Sequence, residues 1–208
     1  MQPVRSADYP VHPTLRQALT LPEEIVIPGA TLDEAMAAWR TYLGFAGPLL
    51  LVSTPDRARK LLMAALGVAN KEPVGIPANT RRYLSEAVKR SGGKPLFVDL
   101  DAELAFVPET PGLETARIVW AQPIGGMAPP AALPGKTYLV DHGLTLPAPL
   151  REGGPGLPGA ATVFGLHLDE ADSGALIAFS DPELAEKVAA LMAPEDAPDA
   201  GRALAQVQ

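Results

Sequence analysis

The chain of 208 residues contains no cysteine. That excludes disulfides, thiolate metal ligands and thiol nucleophiles together. Aromatic residues make up only 5% of the sequence, too few for a base-stacking surface. Basic residues are in the minority, 17 against 24 acidic ones, for a formal charge of −7. A phosphate backbone needs a basic face, so no nucleic-acid partner is expected. No apolar run approaches the roughly 20 residues that span a bilayer. The opening MQPVRSADYPVHP has no apolar signal core. These readings predict a cytoplasmic chain without a membrane partner. Walker motifs, zinc-ligand spacings and a GxSxG elbow are also missing.

What is present fits a globular domain. The hydrophobic fraction is 47% and the charged fraction 20%. Residues 1–30 carry five prolines and read as irregular. Residues 31–192 read as one α/β domain, and 193–208 as a loosely held tail. Thr31-Leu32-Asp33-Glu34 is a capping box that opens a helix with Leu32, Met36, Trp39 and Leu43 on one face. Gly47 to Ser53 reads as a buried strand, and Pro55 to Leu66 as a helix with an early proline. Val74–Pro77, a helix capped by Thr80, and Pro95–Leu100 form a strand-helix-strand unit. Such a unit implies a parallel pair with its loop Ala78-Asn79-Thr80 at a carboxyl end, where open sheets hold ligands. Further strands are predicted at Arg117–Ala121 and Thr137–Asp141. Ala161–Leu166 and Ala175–Ser180 read as a hairpin, followed by a helix from Ser180-Asp181 to Met192. The fold class is a three-layer α/β sandwich, mostly parallel, with helices on both sheet faces.

Candidate functional residues are few. The histidines are His12, His142 and His167. Asp141 and His142 end a strand, but neighbours on a strand point to opposite faces, so no metal site is expected. Asp99 and Asp101 suit turn chemistry. Arg81 and Arg82 stand at a helix N-terminus, against the dipole, which favours a small anionic ligand there.

These segments, in this order, resemble the large domain of fold-type-I, pyridoxal-phosphate (PLP) dependent enzymes, and above all the DegT/DnrJ/EryC1/StrS sugar aminotransferases. Gly29 to Gly44 resembles that family's first helix, and Ala65-Leu66-Gly67-Val68 the end of its next one. Ile76 to Val88 and Gly93 to Asp101 form the most specific match. Val140-Asp141 resembles its Glu-Asp pair, and Ser180 to Lys187 the close of its large domain. The likeness covers roughly residues 25–192. It implies the scaffold, a homodimer and a second, smaller domain. This chain ends 16 residues after Met192 and is expected to lack that domain.

The family's chemistry requires a lysine for the Schiff base with PLP. By resemblance it belongs near His167, yet no lysine occurs between Lys136 and Lys187. The family's phosphate cradle at a helix N-terminus corresponds to Pro55-Asp56, or to Thr54 one residue earlier. Proline removes an amide donor there. Aspartate adds a like charge, worth about 4 kcal/mol at about 4 Å and an effective dielectric near 20, on the order of a thousandfold in affinity. Arg81 stands where a stacking ring is expected. Asp141 alone matches, as partner of the pyridine nitrogen.

The sequence therefore predicts a non-catalytic binding or assembly module that needs no cofactor. Its pocket would include Thr54, Thr80, Arg81, Gln122, Asp141, His142 and His167. An alternative is a PLP-independent enzyme that uses this crevice, with a histidine base, on a sugar or nucleotide-linked substrate. An active PLP-dependent sugar aminotransferase is the third reading.

Overall fold

The computed structural model describes residues 29–123, 129–142, 157, 159–166, 174–200 and 203. Helix α1 (Leu32–Leu43) begins with the capping box, in which Glu34 N–H donates to the Thr31 hydroxyl and Glu34 bonds back to the Thr31 amide. Gly44 ends it in the left-handed conformation. Strand β1 (Leu49–Val52) follows, then α2 (Pro55–Ala65), β2 (Pro73–Pro77), α3 (Arg82–Arg90) and β3 (Lys94–Val98). After a short 3-10 turn at Leu113–Thr115 come β4 (Ile118–Ala121), β5 (Thr137–His142), β6 (Ala161–Gly165), β7 (Ala175–Phe179) and α4 (Pro182–Leu191).

The strands form one sheet in the order β1-β7-β6-β5-β4-β2-β3. All pairs from β6 to β3 are parallel, while β7 runs antiparallel to both its neighbours. The predicted hairpin is this β6–β7 pair. A mixed, mostly parallel sheet must be covered on both faces, and its central strands are accordingly buried throughout.

Alternation along the strands divides the core. Leu139, Ala161, Val163 and Ile177 face α2, α3 and α4, together with Ile76, Ile118 and Trp120. On the opposite face, Phe164, Leu176 and Ala178 pack under α1 with Trp39 and Leu43. Farther along that face, Val98, Val119, Tyr138 and Val140 are covered by Phe106, Leu113 and Ala116.

Two expectations are corrected. Thr80 does not cap α3. The N-cap is Arg81, with no side-chain cap bond, because the Thr80 hydroxyl bonds a residue just past another strand. The segment after Met192 is not loose where it is described. Ser53 N–H donates to the Asp196 carbonyl, Arg57 pairs with the Asp196 carboxylate, and Trp39 Nε1 donates to Ala203 O at 2.8 Å. Buried polar groups need partners, and this segment supplies them.

Candidate functional site

β1, β2, β4, β5 and β6 all point their carboxyl ends the same way, because β7 alone is reversed. Order along the sheet switches between β2 and β4, since β2 leads outward to β3 and β4 leads the other way to β5. That is where an open α/β sheet leaves a crevice. Here polar bonds cross it. Gln122, just past β4, accepts at Oε1 from the Thr80 hydroxyl and the Arg81 amide, each at 2.9 Å. Its side-chain nitrogen donates to the Tyr83 hydroxyl. Three groups from the β2–α3 loop and α3 are thereby tied to β4. The Arg81 side chain itself is exposed.

One strand farther, Asp141 is the penultimate residue of β5, on the face covered by α2. Its carboxylate accepts from Arg59 Nε at 2.7 Å, with a second, longer contact of 3.4 Å from Nη2. Both residues are 1% exposed. The Arg59 guanidinium also lies 4.1 Å from the Tyr83 ring centroid. Stacking on a ring and a forked bond to a carboxylate both suit a planar cation.

Arg59 and Tyr83 were not among the residues expected to form the pocket. A signal for Arg59 existed. Pro55, Ala58 and Leu62 are buried at helical spacing on α2, and Arg59 lies on the same stripe. An arginine in an apolar stripe needs a buried counter-ion.

Thr54 and His142 each have another neighbour. Thr54 is the N-cap of α2, accepting from Arg57 N–H at 3.1 Å. Asp56 is not a bare negative charge, since Lys60 lies 3.2 Å and Arg90 2.7 Å away. Its repulsion toward an anion is therefore smaller than sequence reasoning assigns. His142 pairs in register with Phe164 and stacks on it, with ring centroids 5.3 Å apart and planes 13° from parallel. Phe164 belongs to the α1 face, so His142 points away from Asp141's side of the sheet. Burial pushes the His142 pKa below its usual value, while the Asp141 charge pulls the other way. His12 and His167 lie outside the described residues. Asp101 performs turn chemistry, accepting from Glu103 and Ala105 amides.

Lys136 Nζ donates to the Leu113 carbonyl at 2.9 Å, at the amino end of the sheet, and Lys187 is exposed on α4. Among the described residues, no group of acidic or histidine side chains is arranged to hold a metal ion. No helix there is long and apolar enough to cross a membrane.

Solved structures share this architecture. One is a DegT DnrJ EryC1 StrS aminotransferase from Brucella abortus, with a TM-score of 0.63 and 16% identity over 93% of this chain and 59% of that one. Another is DesV from S. venezuelae in complex with a ketimine intermediate, at 0.64 and 17%, over 92% of this chain and 58% of that one. The fold is that of the sugar aminotransferases. It extends to the histidinol-phosphate aminotransferase from Clostridium acetobutylicum, at 0.61 and 15%, over 88% and 60%. This aminotransferase-fold chain thus spans about three fifths of the length of each. No protein-family model matches the sequence, and no curated protein does.

Proposed function

We propose that this aminotransferase-fold domain neither binds PLP nor transaminates, and that it acts as a binding or assembly module. The observation that carries the reading is the Arg59–Asp141 pair. Asp141 matches the residue that would pair with the cofactor's pyridine nitrogen, and a guanidinium already bonds it within the chain. A protonated pyridine nitrogen would be a second cation competing for a carboxylate already neutralised. The sequence supports the same reading, because no lysine stands between Lys136 and Lys187 to form the Schiff base. The Gln122 bridge adds support, since groups of the chain itself bond across the β2–β4 crevice. A homodimer fits such an assembly role and belongs to the same proposal, as does a cytoplasmic location.

Mixing the protein with PLP tests the central statement. The expected result is no protein-bound visible band after gel filtration. A band that borohydride removes, with the label mapped to a lysine, would overturn it. Light scattering at micromolar concentration tests the dimer, and a clean monomer would refute that part.

A further inference from the structure

We infer that residues 193–200, with Ala203, form a strap that opens as one unit while the sheet stays folded, uncovering the carboxyl end of β1 and the first turn of α2. The inference does not rest on the proposed function.

Three observations converge. The first is that one segment ties together four elements of the body. Ser53 N–H, just past β1, donates to the Asp196 carbonyl at 2.6 Å. Arg57, in the first turn of α2, donates from Nη2 to the Asp196 carboxylate at 2.8 Å. Trp39 Nε1, on α1, donates to Ala203 O at 2.8 Å. A Cβ placed on Gly174, just before β7, would lie 3.6 Å from Pro198 Cβ, so the strap also passes over the start of β7.

The second is that polar bonds, rather than apolar burial, fasten the strap. Ala193-Pro194-Glu195-Asp196-Ala197-Pro198-Asp199-Ala200 contains no large apolar side chain, and Asp196 alone among these residues is buried. Apolar area is what makes most of a fold resist opening, and segments with little of it belong to the low end of local stability. The body beneath is different. Trp39, Leu43, Leu49 and Leu51 are at most 4% exposed and share a core cluster with Phe164 of β6 and Leu176 of β7.

The third is that the strap holds its own shape. The Asp196 carboxylate accepts from the Ala193 amide at 2.7 Å, and Asp196 N–H donates to Ala193 O at 2.9 Å. Ala203 N–H donates to the Asp199 carbonyl at 3.0 Å. These bonds lie inside the segment and survive its departure from the body. Opening therefore hands the Ser53 amide and the Trp39 indole N–H to water at the same moment, although they lie on different elements.

The test is native-state hydrogen exchange at rising urea. The Ser53 amide and the Trp39 indole N–H should show equal protection, at least about tenfold below that of the β5 amides. Their urea dependence should be weak, because strap opening exposes little surface. Arg57→Leu should lower the protection of both groups together, by about 5–30-fold. Ile118→Val, in the core on the opposite sheet face, should lower β5 protection and leave both groups unchanged. Unequal protection of the two groups, or protection and urea slope equal to those of β5, would overturn the strap. So would an effect of Arg57→Leu on Ser53 alone. If Arg57→Leu does not fold, thiol labelling of Ala203→Cys reads the opening in the otherwise unchanged chain. The chain has no other cysteine, and the site is 2% exposed. Labelling with a weak urea dependence is expected, and labelling that follows global unfolding overturns the inference.

Discussion

Arg57 and Asp196 meet across 139 residues of chain, with Arg57 Nη2 donating to Asp196 Oδ2 at 2.8 Å. Arg57 Nε contacts the other carboxylate oxygen, and the Ala193 amide bonds Oδ2 at 2.7 Å. Backbone and side chain of Asp196 together fasten the C-terminal segment to the end of β1 and the first turn of α2. The bonds from Arg57 hold the Asp196 carboxyl below its ordinary pKa of 3.8. The unfolded state therefore binds the extra proton first, and stability rises with pH through that window. The contribution is present in full above the unfolded value and is lost as pH falls through the lowered folded one. Asp196→Asn should remove this acid-range slope in urea melts. Because the Arg57 side chain is 37% exposed, the loss near neutral pH should be only about 1–2 kcal/mol.

His142 gives a second slope of the same sign in a higher window. Burial lowers its folded pKa from 6.5, so protons bind the unfolded chain preferentially just below that value. Stability from neutral His142 is complete above 6.5 and is lost as pH falls toward the depressed pKa. His142→Phe retains a ring against Phe164 and should flatten the profile in that interval. An unchanged slope in denaturant melts between the two pKa values would contradict the burial of His142.

The buried ion pair should behave asymmetrically. Asp141→Asn removes the carboxylate charge opposite a guanidinium that is 1% exposed, and should cost about 3–5 kcal/mol. Replacing both partners, as Arg59→Met/Asp141→Leu, should cost far less and can raise stability. Urea unfolding of Arg59→Met, of Asp141→Leu and of the double closes the cycle.

Gln122 should be energetically coupled to Tyr83. Gln122→Leu removes the acceptor for the Thr80 hydroxyl and Arg81 amide and the donor to Tyr83, at about 1–3 kcal/mol. Tyr83→Phe added to Gln122→Leu should cost less than Tyr83→Phe alone. Strict additivity would show that the bridge is not one unit.

Gly159 occupies a backbone position with φ +82, where a Cβ would collide with the Tyr138 carbonyl. That carbonyl accepts from the Ala160 amide at 2.7 Å, at the start of β6 pairing. Gly159→Ala should destabilise by at least about 1–3 kcal/mol, read as a lower Tm with secondary structure retained.

Local chemistry made most of the scaffold legible in the sequence. The Thr31–Glu34 box, Gly44, Pro55 at the first helical position and the capping Asp181 each act within one turn of chain, so neighbouring residues suffice to read them. Apolar runs located every described strand within one or two residues, because most of these strands are buried on both faces and read as continuous apolar segments. The opposed directions of Asp141 and His142 were legible for the same reason, since strand alternation is a local property.

The partners of the polar side chains were decided only by the tertiary structure. Thr80 is chemically able to cap a helix or to bond across the crevice, and the placement of β2 beside β4 chose Gln122. Pro194 to Asp196 read as tail, yet Arg57, 139 residues away, pulls Asp196 into the structure. Asp141 and Arg59 stand 82 residues apart. By itself the sequence determined that no lysine stands between Lys136 and Lys187 and that Asp141 lies near a strand end. Only the packing of α2 over β5 decided that the carboxylate holds a guanidinium of its own chain, because a hydrogen-bond partner is set by proximity in space and not by position along the chain.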